Sequence, residues 1–266
     1  DTYLDGLVEK FVASARLAKE AGFDGVDMKS CHGYLLQELL SAYLREGKYG
    51  GSFENRTRLY LTCVREIKKA VSKDFIVASR LGITDMVQKP YGFGTDENNN
   101  IDLTEPKKLI SEAHKLGVNM INVTLGNPYF NPHVNRPFRV GPYKPEESAE
   151  TGLERFIRVE KELKETFPDI TFIGSGLSYY RGQMMEEAEK MLTDGVCDLI
   201  GFGRVTLAYP AFYSDHLSGK FDAKKCCVTC SKCTELMRNH QIAGCAVFNE
   251  YYRDLYKNTV AAKKEN

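Results

Sequence analysis

Three side chains that can move protons or bind an anion occur within six residues of one another. Lys29, His32 and Tyr34 supply an amine, an imidazole and a phenol. Two hydrogen-bond donors beside a phenolic proton suit the polarisation of a carbonyl group and the protonation of its α-carbon. The same spacing also fits a packed tyrosine and a structural histidine, so the residues alone leave both interpretations open.

A group of cysteines forms a second candidate site. Five of the eight cysteines fall between positions 226 and 245, and four follow the pattern C-x2-C-x2-C-x11-C: Cys227, Cys230, Cys233 and Cys245. Three closely spaced thiolates and a fourth further along suit a [4Fe–4S] cluster, whereas four cysteines also satisfy a tetrahedral zinc ion. Such a cluster in an otherwise ordinary chain indicates metal or iron–sulfur ligation in a reducing compartment. Cys226 is predicted to lie outside the site, and Cys63 and Cys197 are predicted to be core residues.

Glycine-rich turns provide a third candidate site. Gly174-Ser175-Gly176 follows the next-to-last predicted strand, and Gly201-Phe202-Gly203-Arg204 follows the last one. Glycines after parallel strands expose backbone N–H groups that bind phosphate. One glycine pair often only ends a strand, but two in succession, with Arg204 beside the second, predict a phosphate site.

Alternating helices and short buried strands must position these groups. Hydrophobic periodicity predicts five helices, over 4–21, 54–71, 105–116, 150–167 and 180–194. Each is followed by a predicted strand, over 23–28, 75–79, 118–123, 170–174 and 196–201. Thr104 is the predicted N-cap of the third helix. The alternation predicts βα units and a parallel sheet, either doubly wound or part of a (β/α)8 barrel.

Chain length decides how much of a barrel can be present. A complete (β/α)8 barrel needs about 250 residues, whereas the five units here fill about 200. Long loops over 84–103 and 125–148 follow two of the strands, and they exceed the usual two to six residues. Because the carboxyl ends of the strands build the active site in either architecture, we expect both loops to have a function.

Composition limits the classes of partner. The chain has 36 basic and 36 acidic residues and a formal net charge of zero, which argues against electrostatic binding to nucleic acid or a membrane surface. There is no long apolar run and no signal peptide at the start of the sequence. We therefore expect a cytoplasmic protein that acts on a small-molecule substrate. The composition does not decide whether the protein forms a homo-oligomer. Since the chain begins at Asp1, we expect it to be processed or part of a longer protein.

The order of several motifs resembles the old yellow enzyme family of FMN-dependent ene-reductases. The matching stretches are Ala21–Asp27, His32–Leu35 and Tyr49–Arg56. The resemblance covers nearly the whole chain. It implies that Tyr34 protonates the substrate's α-carbon, while Lys29 and His32 hydrogen-bond its activating carbonyl or anion. Lys29 departs from the histidine or asparagine that is usual there.

The resemblance also implies the cofactors. It places Arg80 near N1 and the C2 carbonyl of the flavin, where a cation offsets negative charge. The FMN phosphate is then held by the glycine-rich turns, through Ser175, Gly176, Gly203 and Arg204. Iron–sulfur members such as dienoyl-CoA reductase, 2-enoate reductase and trimethylamine dehydrogenase carry a similar cysteine run, which favours the [4Fe–4S] cluster. NAD(P)H is the implied electron donor, and the larger members continue into a dinucleotide-binding part that implies FAD.

These inferences combine into one prediction. We expect an α/β chain with about five of the eight βα units of a TIM-type barrel over 1–225, a cluster segment over 226–250 and a tail over 251–266. The family's first three strands have no counterpart, so a longer natural protein is expected. The implied function is reduction of the activated C=C bond of an enoate, enone or enoyl thioester. The alternatives are an amine dehydrogenase with the same cofactors and a non-catalytic electron-transfer module.

Overall fold

The computed structural model describes residues 1–138, 141 and 143–262, which form two compact units. Unit 1 comprises Asp1–Arg136, Phe156–Gly174 and Gly195–Leu199. Unit 2 comprises Pro137–Arg155, Ser175–Asp194 and Ile200–Asn266. Part of the predicted 125–148 loop (139, 140 and 142) and part of the predicted tail (263–266) lie outside the described residues. The predicted domain boundaries remain a prediction.

A parallel five-stranded sheet forms the centre of unit 1. Its strands, in spatial order, are β1 (Gly25–Asp27), β2 (Ile76–Thr84), β3 (Met120–Leu125), β4 (Thr171–Gly174) and β5 (Leu199–Ile200). The register pairs Val26 with Val77, and Ile121 with both Ser79 and Phe172. Because the strands are parallel and in sequence order, their carboxyl ends meet at one edge of the sheet. The predicted parallel α/β fold is confirmed.

Helices connect these strands and extend into unit 2. They are α1 (Thr2–Glu20), α2 (Leu35–Leu40), α3 (Phe53–Ala70), α4 (Thr104–Lys115), α5 (Pro132–Asn135), α6 (Ala149–Thr166), α7 (Met184–Thr193), α8 (Val205–Ala208), α9 (Phe212–Leu217), α10 (Lys232–Arg238) and α11 (Glu250–Tyr256). 3₁₀ turns occupy Leu177–Gln183 and Ala223–Lys225, and a π-helical turn occupies Lys257–Ala261. No helix among the described residues is long and apolar enough to cross a membrane.

Three local predictions are wrong. Thr104 is the first residue of α4 rather than its N-cap, which is Leu103, and its own N–H donates to Asp102 Oδ1 at 2.9 Å. The predicted helix over 180–194 begins instead as a 3₁₀ turn, with a kink at Arg181 (φ 52°), before α7 starts. The last strand is only Leu199–Ile200, although the Asp198 N–H still bonds to Phe172 O at 2.9 Å.

Helix α3 supplies much of the core of unit 1. Ser52 caps its start by accepting a hydrogen bond from the Asn55 N–H at 3.3 Å. Its fully buried face includes Leu59, Cys63 and Ile67, and burial of an aliphatic side chain contributes about 1.5–3 kcal/mol. Cys63 is therefore a core residue, as predicted.

Arg56, in the first turn of α3, is a buried charged residue. It is 2% exposed, and its guanidinium donates to Leu40 O at 2.5 Å and to Gly51 O at 2.9 Å. It also pairs with Glu105 Oε1 at 2.5 Å. A buried charge is tolerated only when it is paired and hydrogen-bonded. Arg56 thus holds the segment after α2 against α3 and α4.

Candidate active site

The residues after β1 continue along the sheet before the chain turns away. The Ser30 N–H donates to Arg80 O, and the Gly82 N–H donates to Ser30 O, both at 2.8 Å. The Ser79 hydroxyl donates to Met28 O at 2.8 Å. The chain therefore leaves the sheet at Cys31, and the predicted catalytic residues lie at the carboxyl edge of β1, as expected.

A left-handed turn carries His32 and Gly33. Their φ angles are 65° and 68°, and this conformation costs a residue other than glycine on the order of 1–2 kcal/mol. A Cβ atom at Gly33 would lie 3.0 Å from the Asn127 amide and 3.0 Å from Tyr129 Cδ2. Glycine is therefore required at position 33 by both its conformation and its close neighbours.

Tyr34 is the exposed end of this turn. Its side chain is 53% exposed, and the Lys29 ammonium lies 3.5 Å from the centre of its ring. Tyr129 approaches the same ring edge-on, with centroids 6.5 Å apart. The structure therefore brings Lys29 and Tyr34 together and leaves the phenol accessible to a small molecule.

His32 is more enclosed than Tyr34. Its Nε2 atom is buried and has no hydrogen-bond partner. Burial, followed by the nearby charges of Arg80, Lys29 and Arg136, lowers the pKa of His32 to about 4. The imidazole is therefore neutral near pH 7, so one ring nitrogen can donate a hydrogen bond and the other can accept one.

Arg80 meets the requirements for a group beside an electron-rich ring. Its backbone N–H donates to Asp27 Oδ1 at 2.7 Å, while its side-chain Nε is buried without a hydrogen-bond partner. An orphaned buried donor of this kind fits an acceptor such as a flavin ring. Cys31 lies in the same turn, but burial raises its thiol pKa to about 11, so it is no nucleophile at neutral pH.

Sequence reasoning missed three residues of this region. Arg136, which lies within the predicted functional loop over 125–148, contributes positive charge at His32. Gln37 and Asp85 are buried polar residues beneath the turn. The available signal for Gln37 was a polar residue on the buried face of Leu35–Leu40, a stretch that is otherwise largely apolar.

The predicted phosphate-binding turns lie in unit 2. Gly176 adopts φ 93°, and a Cβ there would meet only Leu153 Cδ2, at 3.6 Å. At Gly203, no atom lies within 4 Å of the Cβ position. The backbone at both glycines is thus open to close approach. Arg204 Nη1 is buried and has no hydrogen-bond partner, which fits an anionic ligand.

The predicted cluster cysteines line one cavity in unit 2. Its walls contain Cys227, Cys230, Cys233 and Cys245, together with Arg204 and apolar side chains. The space free of protein atoms is about 330 Å³, part of which is open solvent. Cys226 is 1% exposed and is not part of the lining. Among the described residues, no three His, Cys, Asp or Glu side chains are grouped as they would be around a metal ion.

The backbone between these cysteines is unusual. The Thr229 N–H donates to Cys227 Sγ at 3.4 Å. Thr229 and Ser231 have φ angles of 54° and 61°, and a left-handed β-branched residue is an outlier that tends to mark a functional site. Burial raises the pKa of the Cys227 thiol, whereas the Thr229 N–H and the Arg204 charge lower it.

Comparison with known families decides the class of protein. The profile of the NADH:flavin oxidoreductase / NADH oxidase family matches residues 4–220. The chain belongs to this family. The family resemblance predicted from the sequence motifs is therefore confirmed, and the chain is a member of a family of oxidoreductase enzymes that use a flavin and NADH.

Individual relatives agree with this family assignment. The NADH oxidase of Thermoanaerobacter brockii is 28% identical over 232 residues, which cover 86% of this chain and 31% of that protein. The cinnamate reductase of Clostridium sporogenes is 28% identical over 90% of this chain and 35% of that protein. The chain therefore spans about a third of the length of these curated relatives.

A solved structure shows the same fold. The 2-naphthoyl-CoA reductase complex with 2-naphthoyl-CoA superposes with a TM-score of 0.73 at 21% identity, covering 95% of this chain and 35% of that one. The predicted TIM-barrel type of fold is thereby confirmed.

Proposed function

We propose that this chain is the catalytic part of an FMN-dependent reductase that reduces an activated C=C bond with electrons from NAD(P)H. The substrate class is an enoate, enone or enoyl thioester. The observation that carries the proposal is the exposed Tyr34 phenol, held beside Lys29 and the neutral His32 at the carboxyl edge of β1. The similarity to a cinnamate reductase supports a reductive reaction.

The residues that would hold FMN have suitable chemistry. In unit 1, the buried Nε of Arg80 is a donor of the kind that a flavin ring requires. In unit 2, the turns at Ser175, Gly176 and Gly203, with Arg204, offer donors of the kind that a phosphate group requires. Bound FMN supplies the electron pair, as hydride, to the substrate's β-carbon.

The chain's own residues act on the other end of the double bond. His32 and Lys29 donate hydrogen bonds to the carbonyl or carboxylate oxygen, which stabilises the negative charge that develops there. Tyr34 donates its phenolic proton to the α-carbon. Its side chain is 53% exposed, so a small molecule can reach it.

We also propose that the four cavity cysteines hold a [4Fe–4S] cluster. Their shared cavity, the N–H donated to Cys227 and the left-handed residues Thr229 and Ser231 support this ligand set. Hydrogen bonds to cluster sulfurs and nearby charge set the reduction potential of such a cluster. No disulfide bond joins any of the eight cysteines, which is consistent with a reducing compartment such as the cytoplasm.

Rapid-mixing kinetics of the two half-reactions tests the proposed chemistry. In the full-length enzyme, Tyr34→Phe should slow reoxidation of the reduced flavin by an enoate by roughly 10²–10⁴-fold, the usual contribution of a general acid. Reduction by NAD(P)H should be unchanged, since no substrate proton moves in that half-reaction. Tyr129→Phe, which alters the neighbouring ring, is the matched control.

Other outcomes would overturn the proposal in distinct ways. Equal slowing of both half-reactions would make Tyr34 a structural residue. An unchanged reoxidation rate would mean that water or another side chain supplies the proton. Turnover of amines, with no reoxidation by any enoate or enone, would identify an amine dehydrogenase.

A further inference from the structure

We propose that Gln37 and Asp85 form a buried relay that fixes the turn carrying His32 and Tyr34, so that both are positioning residues for the reduction. The inference rests on the proposed function for its kinetic consequence. Its structural content, the orientation of one amide and one turn, is independent of that function.

The relay begins at the backbone of the turn. The Gly33 N–H, between His32 and Tyr34, donates to Gln37 Oε1 at 2.6 Å. The other end of the same amide, Gln37 Nε2, donates to Asp85 Oδ1. Gln37 is 1% exposed and Asp85 is 3% exposed, so water does not compete for these bonds.

The far end of the relay is held from two sides. Asp85 Oδ2 accepts hydrogen bonds from the Ser41 hydroxyl at 2.6 Å and from the Phe93 N–H at 2.8 Å. Helix α2 and the loop after β2 are therefore joined through one carboxylate. At Gly82, a Cβ would lie 2.5 Å from Gln37 Nε2, so the amide packs directly on the backbone of β2.

The chemistry of Asp85 determines which way the amide of Gln37 points. A side-chain amide has one donor end and one acceptor end, whereas an ionised carboxylate only accepts. The carboxylate therefore selects the Nε2 end, which leaves Oε1 facing the Gly33 N–H. Burial raises the pKa of Asp85 to about 6, while the bonds from Phe93, Ser41 and Gln37 lower it; the group is thus mainly ionised at neutral pH.

The turn needs this support because of its conformation. His32 is a left-handed residue without the freedom of glycine, and such a residue persists only when its surroundings over-determine it. The bond from Gly33 to Gln37 fixes the peptide directly after His32. Loss of that bond would let the turn relax and would move both the imidazole and the phenol.

Substitutions at the two ends of the relay give the test. Asp85→Asn has a single acceptor oxygen, so it cannot accept from both Gln37 Nε2 and the Phe93 N–H, which the carboxylate does with its two oxygens. Gln37→Met removes both bonds of the amide at similar length. We expect faster hydrogen exchange at the Gly33 amide in both variants. Reoxidation by an enoate should slow about 10- to 100-fold, the scale of an ångström-sized misplacement, with NAD(P)H reduction unchanged. Glu38→Gln, on the exposed side of α2, is the matched control.

A pH profile separates positioning from loss of folding. In Gln37→Glu, the new carboxyl group faces that of Asp85, and the two can share one proton. The other groups that face Asp85 are the Ser41 hydroxyl, the Phe93 N–H and the charge of Glu38. The shared proton restores the donor to Asp85. Reoxidation by this variant should therefore fall as pH rises and recover at low pH, whereas Gln37→Met should show no such step.

The outcomes distinguish this inference from the proposed function. Unchanged Gly33 exchange in Asp85→Asn and Gln37→Met, or a flat pH profile in Gln37→Glu, would overturn the relay. Equal slowing of both half-reactions in these variants would overturn the positioning role. If Tyr34→Phe has no effect while Gly33 exchange still accelerates in the relay variants, the proposed function fails and the relay stands.

Discussion

The turn at Cys31–Gln37 and the segment Cys226–Cys245 are organised in different ways. In the turn, the chain's own hydrogen bonds complete the geometry, from the Gly33 N–H through Gln37 to Asp85. In the cysteine segment, four thiols line one cavity, yet the described side chains contain no group arranged as around a metal ion. The first region is completed by the chain's own hydrogen bonds, whereas the second would be completed by the proposed [4Fe–4S] cluster.

This difference has an energetic meaning. The turn's strain at His32 is offset by buried contacts that exist in the folded chain without any cofactor. A cluster segment gains its final geometry from ligand binding, and the free energy of that binding is then part of its folding free energy. Removal of the inorganic ligand should therefore destabilise the cysteine segment and leave the turn unchanged.

The largest effect is expected in the cysteine segment. Cys230→Ala should remove all bound iron and the broad absorbance near roughly 400 nm of the anaerobically purified protein. Cys226→Ala should leave both unchanged, because Cys226 lies outside the cavity lining. Iron analysis and visible spectroscopy measure the result. Zinc in place of iron in the parent protein would contradict the cluster assignment.

An intermediate effect is expected at the catalytic turn. Gly33→Ala places a side chain at φ 68° and 3.0 Å from Asn127 and Tyr129, so it combines backbone strain with crowding. We expect a loss of about 1–3 kcal/mol in the free energy of unfolding and a fall in reoxidation rate of about 100-fold. Denaturant unfolding and rapid mixing provide the two measurements.

Gly195→Ala is the matched control for that substitution. Its φ is 66°, but no atom lies within 4 Å of the added Cβ. Its free energy of unfolding should therefore fall by about 1 kcal/mol, from backbone strain alone, and its reoxidation rate should be unchanged. Similar reoxidation rates in the two alanine variants would show that the close contacts of Gly33 with Asn127 and Tyr129 do not control the geometry of the turn.

The smallest effect is expected in the titration of His32. Its pKa of about 4 is caused first by burial and then by Arg80 and Lys29. Lys29→Met should therefore raise this pKa only part of the way to its ordinary value, since burial remains. NMR titration of the imidazole measures the shift. An unchanged midpoint would show that the Lys29 charge does not lower the pKa of His32.

The same pKa fixes the sign of a stability effect. The imidazole titrates near 6.5 in the unfolded chain, so the unfolded state takes up the proton first on acidification. The stability associated with neutral His32 is present above about pH 6.5 and is lost as pH falls toward 4. His32→Gln should have a shallower decline in stability over this interval, and an identical decline would contradict the assignment.

The order of residues along the chain was sufficient to predict sites whose members are close together in sequence. Lys29, His32 and Tyr34 follow a strand and are only a few positions apart, so one turn had to carry them. The spacing of the four cysteines likewise predicted that they share a site, and they share a cavity. The identity of the ligand that the four cysteines hold stays a proposal, because both a cluster and a zinc ion satisfy their spacing.

Two kinds of feature could not be predicted: hydrogen bonds between residues far apart in the sequence, and irregular backbone conformations within a helical pattern. Gln37 and Asp85 are separated by 48 positions, and no periodicity connects a helix residue with the end of a later strand. Thr104 was predicted to be the N-cap of α4, but the helix begins at Thr104 itself, after Leu103, and the Thr104 N–H donates to Asp102. The kink at Arg181 lies within an apparently helical pattern and carries no glycine or proline signal at that residue.

Arg56 has a consequence for how function is assigned to related sequences. The stretch Tyr49–Arg56 is the most conspicuous part of the motif string, yet its arginine serves to join backbone carbonyls and Glu105 within the scaffold. A homologue could retain all of that stretch while carrying phenylalanine in place of Tyr34 or leucine in place of Gln37. A search pattern built on Tyr49–Arg56 would then retrieve the scaffold and misname the reaction, so a reliable pattern should weight the residues of the turn and its buried acid instead.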